Sequence, residues 1–568
     1  QNTLIGGLAG DALTDADKNV AIGYFSLTAD TLGSKSVAIG NGALGAQNFT
    51  TATDTFNTAV GQEAGRFVTT GIQNTLIGSL AGDALTDADQ NTAVGYAALT
   101  TDTLGSKSTA IGREALVTQN FTTATDSLNT AVGFAAGQAV TTGVENTLIG
   151  GRSGDALTDA DYNVSIGESS LSSDTLGSRS IAIGNSALGS QNFTTATISF
   201  NTAVGYTAGS QISTGQSNTI MGYEAGKFIT TGAANTFIGS AAGTGITGAK
   251  LTGSNNTAVG QGAGEKLQGA AVANTFVGGS SGGNGAISGG HNTAVGGETL
   301  YSLIGGADNV AIGYQAGSNI TTGSQNVAVG REALETEDTG SASTAVGHLA
   351  LRVQNNDALN HNSAFGYQAG VAVTGGKGNT ATGSFAGHNI TTGDNNTVLG
   401  FNLGVGSATG VGQVVIGSNI NGGGVNSVRI GNSAGSATLE LDGSDTSWAA
   451  SSDSRLKTDV ADCAVGLDFI KALRPITYKW NDKDAIANTL PQYDASSSDP
   501  VYGSGKTQHG FLAQEVKTAI NAHSGLKNGF SMWSEDPDGT QQVAPAAVIP
   551  MLVKAIQELE ARIATLEG

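Results

Sequence analysis

Several residue types are scarce in this 568-residue chain, and their scarcity limits its chemistry. The single cysteine, Cys463, excludes an intrachain disulfide and leaves the redox compartment open. Aromatic residues make up 5% of the chain, and no apolar run approaches the ~18 residues of a membrane span. Basic residues number 25 against 46 acidic ones. An acidic surface repels nucleic acid and anionic lipid, so we expect neither as a partner.

Proline and glycine are divided unequally between two parts of the chain. All six prolines lie after residue 450, whereas 78 of the 86 glycines lie before it. This change predicts a domain boundary. We expect a repeat region at 1–431, a linker at 432–451 and a separate domain at 452–568. The chain begins at Gln1 inside a repeat and without methionine, so we expect further sequence before it.

The repeat unit is a pentapeptide such as NTAVG, and 25 copies end in glycine between Gly6 and Gly431. The commonest spacing is 17 residues, with 21-residue steps where an insert such as QNFTTATDTF occurs. Position four is apolar in every copy except at Thr382. We therefore interpret position four as the inward rung of a stacked core. Ala or Ser three residues after the glycine, as at Ala9 and Ala64, is interpreted as a second inward contact.

The regular positions of glycine and of apolar residues favour a β-solenoid over helices or a disordered linker. Glycine at this density costs ~1 kcal/mol per residue in a helix, and disorder would not keep one position invariant. At ~4.8 Å per coil, 25 coils give a rod on the order of 120 Å long. One thin coil encloses little apolar volume, so burial barely offsets backbone ordering of ~1–2 kcal/mol per residue. We infer that several chains associate.

Polar segments in the repeats offer one candidate metal site. DALTDAD occurs three times, first with Asp11, Asp15 and Asp17, and three carboxylates could bind calcium. The spacing is not that of a calcium loop, and aspartate also favours solvated turns, which we prefer. We expect no cofactor. Four histidines before residue 450 share no ligand-like spacing: His291, His348, His361 and His388.

The last part of the chain has the pattern of a small α+β domain. LDFIKALRPITYKW predicts a helix stopped by Pro475 and then a strand, and TQHGFLAQEVKTAI predicts a strand or turn entering a helix. The final segment predicts a short coiled-coil helix in which Glu558 and Arg562 can pair. Ile at a with Leu at d favours two strands rather than three. Its apolar seam is Ile549, Leu552, Ile556, Leu559, Ile563 and Leu566.

The pentapeptide repeats over roughly residues 1–431 resemble the head domains of trimeric autotransporter adhesins, whose NSxAxG-type coils form a β-roll of three chains. SDSRLKTDV, LRPITYKW, HGFLAQEV and IPMLVKAIQEL, in this order, resemble the intramolecular chaperone domain of endosialidases and other phage tail spikes and fibres. The second resemblance implies a trimeric cap that templates the fibre. It also implies that the cap releases itself by cutting before the serine of S-D-x-R-L-K.

This resemblance assigns roles to the residues at the boundary. The nucleophile falls on Ser452, the general base on Lys457, and the scissile bond is Ser451–Ser452. A serine hydroxyl needs a base to take its proton, and a lysine can serve once burial lowers its pKa. Ser454 is a rival nucleophile, because it forms an S-x-x-K pattern with Lys457. Spacing alone is weak evidence, since RLK is usually a solvated turn.

Other residues of the matched blocks are expected to support the reaction. His509 corresponds to a histidine of the family pattern and is expected to orient or assist, although a lone histidine is more often structural. Asp453 and Arg455 are interpreted as positioning groups. Gln514 and Glu515 either support the site or cap and solvate a helix.

The sequence therefore predicts a mostly β protein, a trimeric β-solenoid rod followed by a self-cleaving chaperone domain. We expect a homotrimeric viral tail fibre that is assembled in the host cytoplasm and contacts a glycan or protein receptor on the host cell. Self-cleavage would be its enzymatic activity, acting in cis. The alternatives are a bacterial surface adhesin with the same rod, or a glycan-degrading spike with paired acids between chains.

Overall fold

The chain divides into two units, Gln1–Ser451 and Ser452–Gly568. The computed structural model describes residues 1–441, 449–450, 454, 457–490, 492–502, 505–527, 530–536 and 539–568. The first unit is a β-solenoid in which each pentapeptide supplies one short strand. The second is a small α+β domain. Most of the regular structure is therefore β, as the repeats predict.

Twenty-five parallel strands in the described part of the first unit stack in chain order. Equivalent residues face each other across each step, as where Thr58, Ala59 and Val60 pair with Thr75, Leu76 and Ile77. The number matches the 25 pentapeptides, so the predicted solenoid is confirmed. The strands are Thr3–Ile5, Val20–Ile22, Val37–Ile39, Thr58–Val60, Thr75–Ile77, Thr92–Val94, Thr109–Ile111, Thr130–Val132, Thr147–Ile149, Val164–Ile166, Ile181–Ile183, Thr202–Val204, Thr219–Met221, Thr236–Ile238, Thr257–Val259, Thr275–Val277, Thr293–Val295, Val310–Ile312, Val327–Val329, Thr344–Val346, Ser363–Phe365, Thr380–Thr382, Thr397–Phe401, Val414–Ser418 and Ser427–Asn432.

The inward residue of each strand is position three, so the prediction that position four forms the core is wrong. Successive strand residues point to opposite faces, and each strand has one inward residue between two outward ones. Ala59 and Leu76 at position three are fully buried, whereas Ile77 at position four is 40% exposed. Position four thus forms a rank of apolar side chains on the outer face of the sheet.

Two further positions complete the core of each coil. The small residue three positions after the glycine is buried, as at Ala9, Ala64 and Ala136, which confirms the second inward contact. A larger aliphatic residue lies four or seven positions after the glycine, as at Leu44 and Val68. Each coil therefore encloses about three apolar side chains.

The invariant glycine is required where the chain leaves each strand. Gly61 has a φ of +145°, and a Cβ built on it would lie 2.4 Å from the carbonyl oxygen of Gly78 in the next coil. A side chain here would meet both an unfavourable backbone conformation and a backbone clash.

Asparagine at position one forms a buried ladder along the rod. The Oδ1 atom of Asn74 accepts the backbone N–H of Asn91 at 2.9 Å, and its Nδ2 donates to the carbonyl of Ala88 at 2.8 Å. Asn91 repeats this pattern with Ser108 and Gly105. The ladder satisfies backbone groups that the short strands leave without partners.

Serine interrupts the ladder in the coils that carry an insert, and a buried carboxylate network replaces the missing amide. At Ser36, Gln47 donates to Ser36 Oγ at 2.9 Å and accepts from Asn57 Nδ2 at 2.9 Å. Gln47 also donates to Asp30, whose other oxygen accepts two backbone N–H groups. Burial raises the pKa of two carboxyl groups that are equivalent to Asp30, those of Asp174 and Glu337. The equivalent acids are Asp102, Asp174 and Glu337.

The inserts also form two-residue parallel pairs beside the main sheet, and the solenoid ends in antiparallel strands. The strand Gly435–Glu440 pairs antiparallel with Ser427–Asn432, and Ala449–Ala450 pairs with it in turn. The segment expected to be a linker, 432–451, therefore contributes strands to the sheet. The insert pairs are Gly33–Ser34 with Thr53–Asp54, Gly105–Ser106 with Thr125–Asp126, and Gly177–Ser178 with Thr197–Ile198.

The second unit contains three α-helices in its described residues: α1 (Leu467–Ala472), α2 (Ala513–Ala522) and α3 (Ile549–Glu567). They agree with the helices predicted from the sequence. The remaining elements are the strand pairs Ile476–Tyr478 with Gln508–Gly510 and Trp533–Glu535 with Gln541–Val543, and the 3₁₀ turns Lys483–Ala485 and Pro545–Val548.

A small apolar core joins these elements, with Phe469 of α1, Val516 of α2 and Met551 of α3 among its buried residues. The predicted seam of α3 points away from this core. All six seam residues are exposed in the single chain, Ile549, Leu552, Ile556, Leu559, Ile563 and Leu566.

Candidate functional site

The predicted cleavage site lies at the boundary between the two units. Ser451, Ser452, Asp453 and Arg455 lie outside the described residues. Lys457 is described and exposed, and its backbone N–H donates to the carbonyl of Ser454 at 3.2 Å. Ser454, the rival nucleophile, is also exposed and lies in a single turn with Lys457.

His509 lies on the strand Gln508–Gly510, where it is paired antiparallel with Thr477. The two paired strands come from the blocks TQHG and PITY, so the fold brings together sequence blocks that are about 30 residues apart. His509 is exposed. Its position on a paired strand gives His509 a fixed backbone.

Glu515 and Gln514 lie in the first turn of α2 and take different roles. The Glu515 carboxylate receives two hydrogen bonds from the guanidinium of Arg474, one of them from Nε at 2.9 Å. This cation lowers the pKa of Glu515. Gln514 is exposed. The Glu515–Arg474 pair therefore connects α2 to the segment that precedes the strand Ile476–Tyr478. The sequence analysis did not predict Arg474 as a partner.

A second missed contact fixes α3 against the start of α1. Oε2 of Glu558 accepts the backbone N–H of Leu467 at 2.9 Å, one of the N–H groups that a helix start leaves without a partner. Gly466 lies directly against this contact, since a Cβ there would be 2.6 Å from Oε1 of Glu558. The predicted partner of Glu558 was Arg562. The structure shows it bonded to α1 instead, 91 residues away.

Residues 452–525 match the family described as chaperone of endosialidase. The second unit carries an endosialidase-type chaperone domain. The match begins at Ser452 and includes the blocks that contain Lys457, His509 and Glu515. No curated protein and no solved structure is significantly similar to the chain. A solenoid followed by this domain is consistent with a tail-fibre-like protein, and domains of this family cleave themselves.

The DALTDAD aspartates bond to neighbouring coils. Asp11 accepts from Thr28 Oγ1 at 2.6 Å, and Asp87 accepts from Thr70 Oγ1 at 2.6 Å. Asp89 accepts the backbone N–H of Ile72 at 2.7 Å. Among the described residues, no group of three His, Cys, Asp or Glu side chains is arranged to hold a metal ion. These bonds connect successive coils, and the preference for a turn over a calcium site stays a prediction.

Apolar side chains form a row along one face of the rod. Ile77 and its position-four equivalents recur once per coil, and none of them is buried. Within the ranges given above, the helices include none that could cross a lipid bilayer. The position-four residues with exposures of 40% or more are Ile5, Ile77, Met221, Ile312, Phe365, Leu399 and Ile430.

Proposed function

We propose that this chain is the precursor of a homotrimeric viral tail fibre that contacts a receptor on the host cell. Its chaperone domain aligns the three chains and then separates from the rod by cutting the Ser451–Ser452 bond. The observation that carries this proposal is the apolar rank at position four. A rod with a partly or largely exposed apolar side chain at position four of 24 of its 25 coils has a long surface available for other chains.

The seam of α3 provides a second surface of the same kind. Ile556, Ile563 and Leu566 are exposed on one helix at coiled-coil spacing. Exposed apolar stripes of this form are stabilised when copies of the helix pack together. Both units therefore present an apolar surface, and in the proposed trimer both surfaces are covered.

The chemistry proposed for cleavage uses the chain's own residues. Oγ of Ser452 attacks the carbonyl carbon of Ser451 as Lys457 takes the hydroxyl proton. The amide bond breaks, its nitrogen takes a proton from the lysine, and the Ser451 carbonyl remains as an ester on Oγ. Water then hydrolyses this ester, which releases the rod with a carboxylate and the domain with a free amine and a restored hydroxyl.

The exposure of Lys457 links this chemistry to assembly. A lysine acts as a base only in its neutral form, which burial favours. Lys457 is exposed in the single chain. We propose that trimer formation buries it, so that cleavage follows correct assembly.

Mass analysis of the full chain tests the cleavage. The wild type is expected to give a rod ending at Ser451 and a domain beginning at Ser452, whereas Ser452→Ala and Lys457→Ala stay whole. Ser454→Ala is the matched control and is expected to cleave normally, since Ser454 is the rival nucleophile. Cleavage at Ser451–Ser452 in the Ser452→Ala variant would show that the nucleophile is assigned wrongly.

The oligomeric state is measured on the same samples. Mass photometry is expected to find three chains for the wild type and for Ser452→Ala. Replacing seam residues Ile556 and Ile563 of α3 with Lys is expected to give a mixture of misaligned assemblies in place of uniform trimers, and these chains are expected to remain uncleaved. A trimer that forms and cleaves despite both lysines would contradict the proposed role of the seam.

A further inference from the structure

A cleft of about 370 Å³ opens on the surface of the first unit, where three consecutive coils meet. Phe25 contributes from the second coil, Gly42 from the third, and Glu63, Arg66 and Phe67 from the fourth. Phe25 and Phe67 are 37% and 49% exposed. The cleft is thus bounded by two aromatic rings with a residue that has no side chain between them.

The repeats supply an internal comparison that shows how the cleft arises. The first coils form a higher-order repeat of 72 residues, in which NTLIG returns at Asn2, Asn74 and Asn146. In the second copy of this repeat, the residues equivalent to Phe25, Gly42 and Phe67 are Ala97, Glu114 and Ala139. Both aromatic walls are absent there. The floor is filled, because the Glu114 carboxylate bonds to Arg113 at 2.8 Å and to Gln138 at 3.3 Å.

In the third copy of the 72-residue repeat, the equivalent residues are Ser169, Ser186 and Gln211. The cleft therefore occurs in the first copy of the 72-residue repeat and is not formed by the equivalent residues of the second and third copies. Three substitutions at one place on the surface, two adding aromatic rings and one removing the side chain between them, produce it together.

The aromatic side chains and the charged pair are held in place by their neighbours. Phe25 packs edge-on against Tyr24 with ring centroids 4.0 Å apart, and the guanidinium of Arg66 lies 5.1 Å from the ring of Phe67. Arg66 also pairs with Glu63 in the same coil at 3.2 Å. This pair neutralises the charge within the cleft and leaves a carboxylate and a guanidinium as hydrogen-bonding groups.

The spacing of the coils suits a flat, partly apolar ring. Two coils separate Phe25 from Phe67, which corresponds to about 10 Å along the rod at ~4.8 Å per coil. A ring in van der Waals contact with both side chains would need a gap of only about 7–8 Å, since carbon atoms pack at ~3.5–4 Å, so a ring in this cleft packs on one phenylalanine at a time. Aromatic walls with a few polar groups at the rim are typical of small-ligand sites.

We propose that this cleft binds an uncharged saccharide unit of a surface glycan. One C–H face of a pyranose ring packs on Phe25 or Phe67, and its hydroxyl groups bond to the Glu63 carboxylate and the side chain of Asn41, which also lines the cleft. The ligand is uncharged because the Glu63–Arg66 pair is already neutral and the surrounding chain is strongly acidic. The inference rests on the receptor-contacting role proposed above for the rod.

Binding of the full-length chain to a printed array tests the proposal. The array carries neutral glycans of hexoses and N-acetylhexosamines together with sialylated and sulfated glycans. The wild type is expected to bind neutral glycans, and Gly42→Glu is expected to weaken the strongest of these by at least about tenfold, or about 1.4 kcal/mol. Phe25→Ala combined with Phe67→Ala is expected to have a similar effect, and Gly42→Ser a smaller one.

These variants are expected to fold, because each introduces a residue that an equivalent coil already carries. Glu114 has a φ of 59° where Gly42 has 70°, and Ala97 has 54° where Phe25 has 58°. Ser186→Glu is the matched control, since it adds the same side chain at the equivalent position of a coil that lacks the aromatic walls. It is expected to leave glycan binding unchanged.

The proposal is overturned if no glycan binds, if only acidic glycans bind, or if Gly42→Glu and Ser186→Glu bind neutral glycans equally well. Cleavage and chain number are read from gels and mass photometry of the same samples. A cleaved trimer that attaches to host cells but binds no neutral glycan would therefore reject the cleft and leave the fibre assignment in place.

Discussion

Replacement of Asn74 by alanine is expected to destabilise the rod locally through the asparagine ladder. The change removes the acceptor of the Asn91 backbone N–H and the donor to the Ala88 carbonyl, which are bonded at 2.9 and 2.8 Å. Asn74 and Asn91 are buried, so these groups lose their partners away from solvent. Each unsatisfied buried group costs about 1–3 kcal/mol, which gives about 2–6 kcal/mol for the pair.

The loss is expected to be confined to neighbouring coils. In stacked repeats each unit contacts only its neighbours, so an opening there need not unfold the whole rod. Hydrogen exchange measured by mass spectrometry is the suitable assay. Peptides covering residues 74–95 are expected to exchange at least about 30-fold faster, since every 1.4 kcal/mol corresponds to a factor of ten.

Gln73→Ala is the matched control, because Gln73 is the adjacent residue and is exposed. Its backbone has a positive φ of 62°, and alanine already occupies the equivalent position at Ala234 and Ala273 with a φ of 54°. The control is expected to exchange like the wild type. If the amides of residues 74–95 exchange at the same rate in Asn74→Ala and Gln73→Ala, the asparagine ladder does not stabilise the contact between neighbouring coils.

The pKa of Glu337 is raised by burial above its ordinary value of 4.5, so its folded state binds a proton more readily than the unfolded chain. The coils around Glu337 are therefore expected to lose stability as the pH rises from 4.5 through the folded pKa, and Glu337→Gln is expected to remove this dependence in exchange rates corrected for intrinsic pH effects; an unchanged pH profile would contradict the assignment. Gly466→Ala places a Cβ 2.6 Å from Oε1 of Glu558 and 2.8 Å from Cγ of Lys554. It is expected to cost the second unit about 1–3 kcal/mol in denaturant unfolding, whereas Glu558→Gln, which keeps an acceptor for Leu467, is expected to cost less; equal losses would argue against the clash.

The repeat pattern was sufficient to predict the solenoid. An invariant glycine indicates where each coil turns, and the small residue three positions later indicates a close contact inside the coil. The same pattern gave the wrong inward position. An apolar residue kept at one position indicates contact, and it does not distinguish a contact within the coil from one with another chain. Position three carries Leu76, Leu148 and Phe237 in some coils, and these large residues were the signal that it faces inward.

The ladder and the contacts of the second unit required the structure. A repeated asparagine is also typical of turns, so the sequence does not show that Asn74 is buried. Arg474 and Glu515 are 41 residues apart, and Leu467 and Glu558 are 91 residues apart. Pairing across such separations depends on how the helices pack, which local patterns do not determine. The residues at the predicted cleavage bond stay a prediction.

The position of the apolar rank gives a physical reason for joining this rod to a chaperone domain. A partly exposed apolar side chain contributes roughly 0.8 kcal/mol when it becomes covered, so position four, which is apolar in 24 of the 25 coils, contributes on the order of 20 kcal/mol per chain. This exceeds the association cost of about 4–15 kcal/mol. However, chains displaced by one coil lose only about one of these contacts, or about 1 kcal/mol. A periodic surface therefore favours association strongly and specifies register weakly. In the proposed trimer, a non-repeating terminal domain with its own interface, such as the seam of α3, would supply the register that the rod lacks.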